Sequence, residues 1–568
     1  SNFSANTQNK DENGNRMDSY LYYNGEDTGY RSVEYREGIY MGYRYYETVA
    51  ADMDASDSGT GEQWYEDNVL FPFGYGLSYT TFEWELMDDI APEGKIETAN
   101  HTVTLKIRVT NTGSVAGKDV VQIYYTAPYT KGGIEKAEVN LVDFAKTELL
   151  APGESQVLEI QFVAQDMASF DWNDANKNGF SGYELEAGDY KISARRNSHD
   201  EVLSVTRTVE SNIQCKTDYL TGAEIKPVFV DKYTSVNEPL IENSISRANG
   251  LSQPKTSSKE DRTLTAEHKE LLDSQETYRS YQDQTTDLWY VNNVPSGWTQ
   301  SDGKDKPTLT IQDMTGLDMT APRIENGEVV IAQDEGSQKW EQFMNQMTWE
   351  ELIPLVESGG GVLADERMGI TGTGYADGPV QFSKGTLWAC APITAATYNV
   401  ELAERQGRMV GNEAYYKDTY FWAGPAMNIH RSPLSGRNQE YYSEDGVQGG
   451  MIASAVVRGA TSMGLNCYIK HMFLNDQEGN RDVKGGVLTW ATEQTIREIY
   501  AKPFEMALKQ GGSTAIMSSF NRIGNVNSAQ NYAMHYDLVR DEWGSDAIWV
   551  TDAWMGRYCP VDYMIRSG

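Results

Sequence analysis

From residue 339 onward the sequence alternates between helix-like and strand-like stretches. Apolar residues at helical spacing favour helices near 393–416, 446–463, 490–510 and 532–543. Short apolar runs favour strands at 420–426, 466–470, 513–519 and 547–551. Such alternation predicts a parallel sheet wrapped by helices, with functional side chains at the carboxyl ends of the strands. We therefore expect a (β/α)8-type TIM barrel over residues 336–568.

The last of these predicted strands ends abruptly on an acidic residue. Residues 538–556 read LVRDEWGSDAIWVTDAWMG, with a helix end, a turn at Gly544 and an apolar run that stops at Asp552. A carboxylate at the end of a buried strand occupies the place of a catalytic group in an α/β barrel. An Asp that merely caps the next helix is the alternative for this residue.

This stretch resembles the nucleophile signature of glycoside hydrolase family 3, which reads roughly LLRDEWGFDGFVVSD and ends on the catalytic Asp. It departs from that pattern at Ala547 and Trp549. The resemblance implies that Asp552 is the nucleophile of a retaining hydrolysis. In such a reaction one carboxylate forms a glycosyl-enzyme while a second carboxyl group, about 5–5.5 Å away, protonates the leaving oxygen.

Four further stretches carry the same resemblance. They are YADGPV at 375–380, NIHRSPLSGRNQEYYSED at 428–445, KHMFLNDQEGNR at 470–481 and MSSFN at 517–521. The family pattern implies that Asp377, Arg437, Lys470 and His471 bind sugar hydroxyls, and that Phe520 replaces a Tyr. A planar guanidinium suits this role because it bridges two hydroxyls, although a structural Arg–Glu network is the alternative. Residues 474–476 (LND) replace the second His of the N-acetylglucosaminidase branch.

The first half of the chain predicts a β-sandwich. Val103, Leu105, Ile107 and Val109 alternate with polar residues, and turn signals at 111–113, 151–153 and 187–189 separate similar runs. LFPFGYGLSYTTF at 70–82 resembles the start of the family's fibronectin-III-like domain, and YREGIYMGYRYYE at 35–47 resembles the segment that closes its α/β sandwich domain.

We therefore expect a multidomain chain whose domain order is the reverse of that in most family members. Its four predicted parts are the tail of an α/β sandwich domain over 1–68, a fibronectin-III-like β-sandwich over 69–212, a connector and barrel-entry extension over 213–335, and the catalytic barrel over 336–568, incomplete at its C-terminus.

One loop of the predicted sandwich is a weak candidate for a metal-binding site. Asp174, Asn176 and Asn178 spell the first half of a calcium-loop pattern, but Leu185 stands at the twelfth position, where the pattern has Glu. A loop held by Asx turns is the preferred interpretation. We predict no cofactor.

The charge balance narrows the class of partner. A formal net charge of −35 and a pI near 4.5 argue against nucleic acid and anionic membranes and fit a neutral sugar. The sequence has neither a long apolar run nor a signal-peptide pattern, which favours a cytoplasmic over a secreted protein. The four cysteines follow no metal or disulfide spacing and are predicted to be free thiols. A homo-oligomer is left open.

The resemblance also implies what the chain lacks. Family β-glucosidases take their acid/base Glu from the α/β sandwich domain, and nothing before residue 35 resembles that loop. We expect the sandwich domain and the closing barrel strand in the same natural polypeptide or in a second chain. The 568-residue chain alone should then be nearly inactive on unactivated glucosides.

The predicted function is that of an exo-acting retaining β-glucosidase, which releases terminal β-D-glucose from β-glucosides or cello-oligosaccharides. The loop NIHRSPLSGRN favours it over the xylosidase-like NIxRDPRWGR. A β-xylosidase or another exo-β-glycosidase of the family is the first alternative. A non-catalytic carbohydrate-binding protein is the alternative from a different class.

Overall fold

A computed structural model gives the fold of most of the chain. It describes residues 20–230, 244–252, 258–276, 301–320, 323–325, 328–357, 360–382, 384–481, 484–552 and 564. Within those ranges, none of the helices combines the length and apolar character needed to cross a bilayer. The thiols of Cys215, Cys390 and Cys467 are free, as predicted, and Cys559 lies outside the described residues.

The described chain begins with an antiparallel strand pair followed by two helices. These elements are β1 (Tyr20–Tyr23), β2 (Glu26–Glu34), α1 (Tyr43–Ser56) and α2 (Thr60–Asn68). The segment between β2 and α1 is buried almost throughout, with Tyr35, Tyr40 and Tyr43 each less than a tenth exposed. Its aromatic side chains therefore pack inside the molecule.

A β-sandwich follows, as the alternating pattern predicts. Its strands are β3 (Phe82–Leu86), β4 (Glu93–Lys95), β5 (Thr102–Asn111), β6 (Val120–Thr126), β7 (Asn140–Lys146), β8 (Ser155–Val163), β9 (Ser169–Asp171), β10 (Gly182–Leu185), β11 (Gly188–Arg195), β12 (Glu201–Val209) and β13 (Ile213–Cys215). One sheet has the order β3-β5-β8 and the facing one β4-β12-β11-β6-β7. The alternate residues Val103, Leu105, Ile107 and Val109 of β5 point into the core between them.

A third small sheet, β13-β10-β9, lies beside the sandwich. Because β13 pairs with β10, regular structure continues past residue 212, where the sequence places the end of this domain. The connector beyond it has short elements among its described residues. They are α3 (Ala266–Glu276), the hairpin β14 (Arg323–Glu325) and β15 (Glu328–Val330), α4 (Glu335–Met344) and α5 (Trp349–Glu357). The four domain boundaries stay a prediction.

The last third of the described chain alternates strands and helices. The elements are β16 (Gly374–Asp377), α6 (Ala391–Ala396), α7 (Val400–Tyr416), β17 (Thr419–Ala423), α8 (Gly446–Thr461), β18 (Asn466–Met472), β19 (Leu488–Trp490), α9 (Glu493–Thr495), α10 (Lys502–Lys509), β20 (Ala515–Ser518), β21 (Arg522–Ile523), β22 (Val526–Asn527) and β23 (Ile548–Thr551). Strands β16-β17-β18-β20-β23 form one parallel sheet, which makes half of a barrel. The predicted multidomain fold with a parallel α/β catalytic domain is confirmed.

The N-terminal strands and the barrel region share one sheet. Its order is β1-β2-β19-β21-β22, and β2 runs parallel to β19 with Ser32 opposite Leu488 and Glu34 opposite Trp490. Residues at opposite ends of the chain thus complete each other's backbone hydrogen bonds.

Buried ion pairs also attach the N-terminal segment to the barrel loops. Glu37 binds Arg431 through both guanidinium Nε and Nη2, and Arg44 Nη2 lies 2.9 Å from Asp445 Oδ2. All four side chains are nearly inaccessible. Removing one partner of a buried pair costs about 3–5 kcal/mol, so these contacts fix where the loop after β17 sits.

Candidate active site

Five of the six residues that sequence patterns single out lie at or just after the ends of four strands of the parallel sheet. Asp377 ends β16, Lys470 and His471 lie near the end of β18, Phe520 follows β20 and Asp552 follows β23. Arg437 lies in the long loop after β17. Parallel strands all end at the same edge, so this one edge collects the polar side chains.

The structure brings these side chains within reach of one another. Lys470 Nζ lies 2.8 Å from Asp377 Oδ1, and His471 Nε2 lies 3.6 Å from Asp552 Oδ2. Arg437 Nη2 is 3.0 Å from His471 Nε2. The Asp552 side chain keeps about 15% of its surface exposed, whereas His471 keeps 1%. The strand edge thus combines a buried imidazole with a carboxylate that a small molecule can reach.

His471 is held rigidly by its neighbours. The Asn428 side chain accepts from the His471 backbone N–H at 2.7 Å and donates to the His471 carbonyl at 3.0 Å. Burial, reinforced by the charges of Arg437, Lys470 and Arg481, lowers the pKa of His471 well below its usual value. The imidazole is therefore neutral, and its Nε2 accepts from Arg437 while Nδ1 faces the Tyr441 hydroxyl at 3.4 Å.

Two arginines share one glutamate beside Asp552. Glu478 lies 3.0 Å from Arg481 Nε and 3.7 Å from Arg437 Nη1. Burial raises the pKa of Glu478, while the two guanidinium groups oppose that rise. Arg481 Nη1 in turn lies 3.9 Å from Asp552 Oδ2, and its guanidinium stacks 4.6 Å above the centre of the Phe520 ring. Phe520 therefore supports an arginine, a role that needs no hydroxyl.

Three residues at the pocket were missed when the sequence was searched for site residues. Arg481 and Glu478 both lie inside the motif at 470–481, so the signal was present in its last four letters. Burial raises the pKa of Tyr375, and the negative charges of Asp377 and Asp552 raise it further. Tyr375 is the first residue of the motif at 375–380, but the family resemblance assigns it no role.

The N-terminal segment reaches the loop that follows His471. The Tyr35 hydroxyl donates to the Leu474 carbonyl at 2.9 Å and accepts from the Asp476 backbone N–H at 3.2 Å. The Asp476 carboxylate accepts from Ile429 N at 2.5 Å, and burial raises the pKa of Asp476 to about 8. Tyr35 and Asp476 thus tie together the two loops that carry Arg437 and Glu478.

The weak metal candidate is a loop closed by its own hydrogen bonds. Asp174 Oδ1 accepts from Gly179 N at 3.0 Å, and Asn178 Oδ1 accepts from Phe180 N at 2.9 Å. Asn176 and Asn178 both donate their side-chain N–H groups to Glu184. Among the described residues no group of three or more His, Cys, Asp or Glu side chains has the arrangement of a metal site. The hydrogen bonds of this loop are of the kind that Asx turns make, and the metal candidate stays a prediction.

One large cavity near the barrel loops lies away from Asp552. It encloses about 720 Å³ between the loop at 73–82 and the barrel loops, where His430, Tyr442 and Glu444 line it. None of the six residues that the sequence singled out contributes to its wall. The candidate active site thus rests on the convergence of charged side chains at one sheet edge.

The structure thus places a β-sandwich before a parallel α/β domain with a carboxylate at the carboxyl edge of its strands, the edge where α/β barrels carry their functional side chains. Residues 368–560 match the glycosyl hydrolase family 3 N-terminal domain, and residues 119–198 match a fibronectin type III-like domain. The chain therefore contains a segment similar to the N-terminal domain of glycosyl hydrolase family 3, preceded by a segment similar to a fibronectin type III-like domain. The predicted family and the reversed domain order are confirmed.

Relatives agree with this assignment over almost the whole chain. The chain is 31% identical to Beta-glucosidase A of Butyrivibrio fibrisolvens over 95% of its length and to a beta-glucosidase of Ruminococcus albus over 92%. A solved beta-glucosidase from Paenibacillus barengoltzii covers 94% of the chain with a TM-score of 0.68 and 28% identity. The chain spans 61%, 48% and 53% of the lengths of these three proteins.

Proposed function

We propose that this chain forms the nucleophile-bearing part of an exo-acting retaining β-glucosidase, with Asp552 as the nucleophile. One observation carries the proposal. The Asp552 carboxylate lies at the end of β23, partly open to solvent, with His471 Nε2 at 3.6 Å and Arg481 Nη1 at 3.9 Å. A site that only bound sugar would have no use for a carboxylate at the anomeric carbon, which is where the family resemblance puts Asp552.

The neighbouring side chains would hold the terminal sugar. Lys470 and Asp377 offer a donor and an acceptor 2.8 Å apart, which suits adjacent hydroxyls that both donate and accept. Arg437 presents a planar guanidinium that can bridge two hydroxyls. Neutral His471 would keep a fixed tautomer because Arg437 occupies its Nε2 lone pair. We assign no acid/base residue among the described residues.

Glucose is the preferred substrate sugar for two reasons. The loop at 428–438 has the NIHRSPLSGRN form, and the relatives named above are called beta-glucosidases. The ratio of kcat/KM for an aryl β-glucoside to that for the matching aryl β-xyloside tests this choice. A ratio above one supports a glucosidase, and a ratio below one supports a xylosidase.

Covalent trapping tests the nucleophile. A 2-fluoro glucoside should label the protein once, and mass spectrometry of the peptides should place the label on Asp552. Asp552→Asn should not label, whereas Asp546→Asn, six residues earlier in the turn before β23, should label normally. A label on another carboxylate would remove Asp552 from its role. Binding of glucose without any labelling would favour the non-catalytic binding protein.

A further inference from the structure

Asp377 is the exposed member of the proposed sugar pocket. Its side chain is 65% exposed, whereas that of Lys470 beside it is 4% exposed. Its Oδ1 atom accepts from the Lys470 ammonium at 2.8 Å and from the Gly378 backbone N–H at 2.7 Å. Within the described residues both of these hydrogen bonds use Oδ1, so Oδ2 is left for a hydroxyl of the sugar. The direction of this carboxylate therefore depends on the turn that begins at Gly378.

Gly378 gives that turn a conformation that only glycine adopts easily. Its φ angle is 129°, and a Cβ atom there would lie 1.9 Å from the Gln381 carbonyl oxygen. Its N–H donates to Asp377, and its carbonyl accepts from the indole Nε1 of Trp422 at 3.1 Å. Gly378 therefore connects the Asp377 carboxylate to a side chain of the neighbouring strand β17.

Trp422 lies on the opposite face of the sheet from Asp377. In the parallel pairing of β16 with β17, Trp422 stands opposite Ala376, while Asp377 stands opposite Ala423. Neighbouring residues of a strand point to opposite faces of the sheet. Ala376 and Trp422 both belong to the apolar core that contains side chains of α7 and α8, whereas Ala423 belongs to a separate cluster. The indole thus approaches the turn from the helix side and does not occupy the face that carries Asp377.

Close packing holds the Trp422 indole in one place. The residue is 2% exposed. A Cβ atom at Gly424 would lie 2.6 Å from Cε2 and 2.9 Å from Nε1 of the indole, so glycine leaves the room that the ring needs. A buried N–H without an acceptor is costly, and the Gly378 carbonyl supplies that acceptor. This hydrogen bond therefore attaches the turn to a rigid part of β17.

We propose that Trp422 is a positioning residue for the sugar, because its N–H fixes the turn at 377–381 and thereby the direction of the Asp377 carboxylate. The family resemblance assigns Trp422 no role. The effect on sugar binding rests on the proposed function, whereas the attachment of the turn does not. A residue that acts only through Asp377 should have no effect on the sugar once that carboxylate is removed.

Labelling kinetics test whether Trp422 acts through Asp377. Trp422→Phe removes the N–H and keeps an aromatic ring. Its second-order rate of labelling by a dinitrophenyl 2-fluoro glucoside, followed by mass spectrometry, should fall about fivefold, the effect of one ordinary hydrogen bond. In the Asp377→Ala background the same change should leave the rate unaltered. Trp340→Phe is the matched control and should label at the parent rate, because the Trp340 indole donates at 2.8 Å to the Leu317 carbonyl in the connector.

Either of two labelling results would overturn the proposal. A parent rate for Trp422→Phe would show that the sugar does not depend on the indole N–H. An equal fall with and without the Asp377 carboxylate would make Trp422 a core residue only. A parent chain that does not label at all would refute the proposed function, and the hold of Trp422 on the turn is then decided by a measurement that needs no sugar.

Hydrogen exchange is that measurement. The peptide that spans residues 377–382 should exchange about fivefold faster in Trp422→Phe than in the parent chain, and Trp340→Phe should leave its exchange unchanged. Equal exchange in Trp422→Phe and in the parent would overturn the proposal whatever the labelling shows. If Trp422→Phe does not fold, Gly424→Ala takes its place in both measurements, because its methyl group displaces the indole N–H and should have the same effects.

Discussion

Replacing Tyr35 by Phe should weaken the sugar pocket from a distance. Tyr35 acts through the loop that follows His471, because its hydroxyl bonds the Leu474 carbonyl and the Asp476 N–H. The substitution removes one oxygen and keeps the ring, whose centre lies 4.0 Å from the Arg431 guanidinium carbon. The change therefore isolates the two hydrogen bonds.

Both backbone groups that lose a partner are buried. An unsatisfied buried polar group costs about 1–3 kcal/mol, so the loss of two partners should lower the free energy of unfolding by about 2–6 kcal/mol. The loop at 474–478 should then sample other conformations and loosen the contact of Glu478 with Arg437 and Arg481. We expect affinity for glucose, measured by calorimetry, to weaken about tenfold, which corresponds to about 1.4 kcal/mol.

Tyr40→Phe is the matched control on the same segment. The Tyr40 hydroxyl is equally buried but donates to Glu135, which also accepts from Ser246 and from Arg247 N. Its loss should lower stability without changing glucose affinity. If both variants weaken glucose binding equally, or if Tyr35→Phe lowers stability alone, then Tyr35 does not position the pocket and the reasoning fails.

Three further outcomes are expected. The 568-residue chain should cleave a dinitrophenyl glucoside much faster than cellobiose, since a good leaving group needs little protonation. Equal kcat/KM values for the two substrates would contradict the expectation that the acid/base lies elsewhere. The pKa of Asp476 is about 8 in the folded state and about 4 in the unfolded state. Between about pH 4 and pH 8 the folded state therefore binds more protons than the unfolded state. The free energy of unfolding should fall as the pH rises through this range. Urea titrations at about pH 5 and pH 8 should show a smaller fall for Asp476→Asn, and an unchanged fall would exclude Asp476 as its source. Asn428→Ala should destabilise the fold by about 2–4 kcal/mol because it strips two hydrogen bonds from the buried His471 backbone, and a loss under 1 kcal/mol in denaturant titrations would contradict this.

Local patterns predict the strands that carry the site. Strands β17, β18, β20 and β23 fall within about three residues of their predicted bounds, because each is a short apolar run between helices. The helices α7 and α8 follow from apolar periodicity in the same way. Since these strands are parallel neighbours, the sequence also predicts that Asp377, Lys470, His471 and Asp552 share one edge.

Non-local contacts leave no such signal. Strand β19 has three residues, and β21 and β22 have two each, which is too short for any periodicity. Nothing in the sequence of β2 indicates that it pairs with β19 and not with another strand. The neutral tautomer of His471 also depends on the 3.0 Å approach of Arg437, a distance fixed by tertiary packing. These features follow from the three-dimensional arrangement alone.

The parallel pairing of β2 with β19 has a consequence for synthesis of the protein on the ribosome. Glu34 pairs with Trp490, so the first strand pair emerges long before its neighbour is translated. At roughly 5–20 residues per second the delay is roughly 20–90 seconds. During that time β2 presents an unpaired edge while the fibronectin-like domain beside it can already fold. When cells synthesise this chain at a high rate, chains with an unpaired β2 edge should accumulate and part of the protein should aggregate. A lower expression rate or a chaperone that covers β2 should raise the yield of soluble protein.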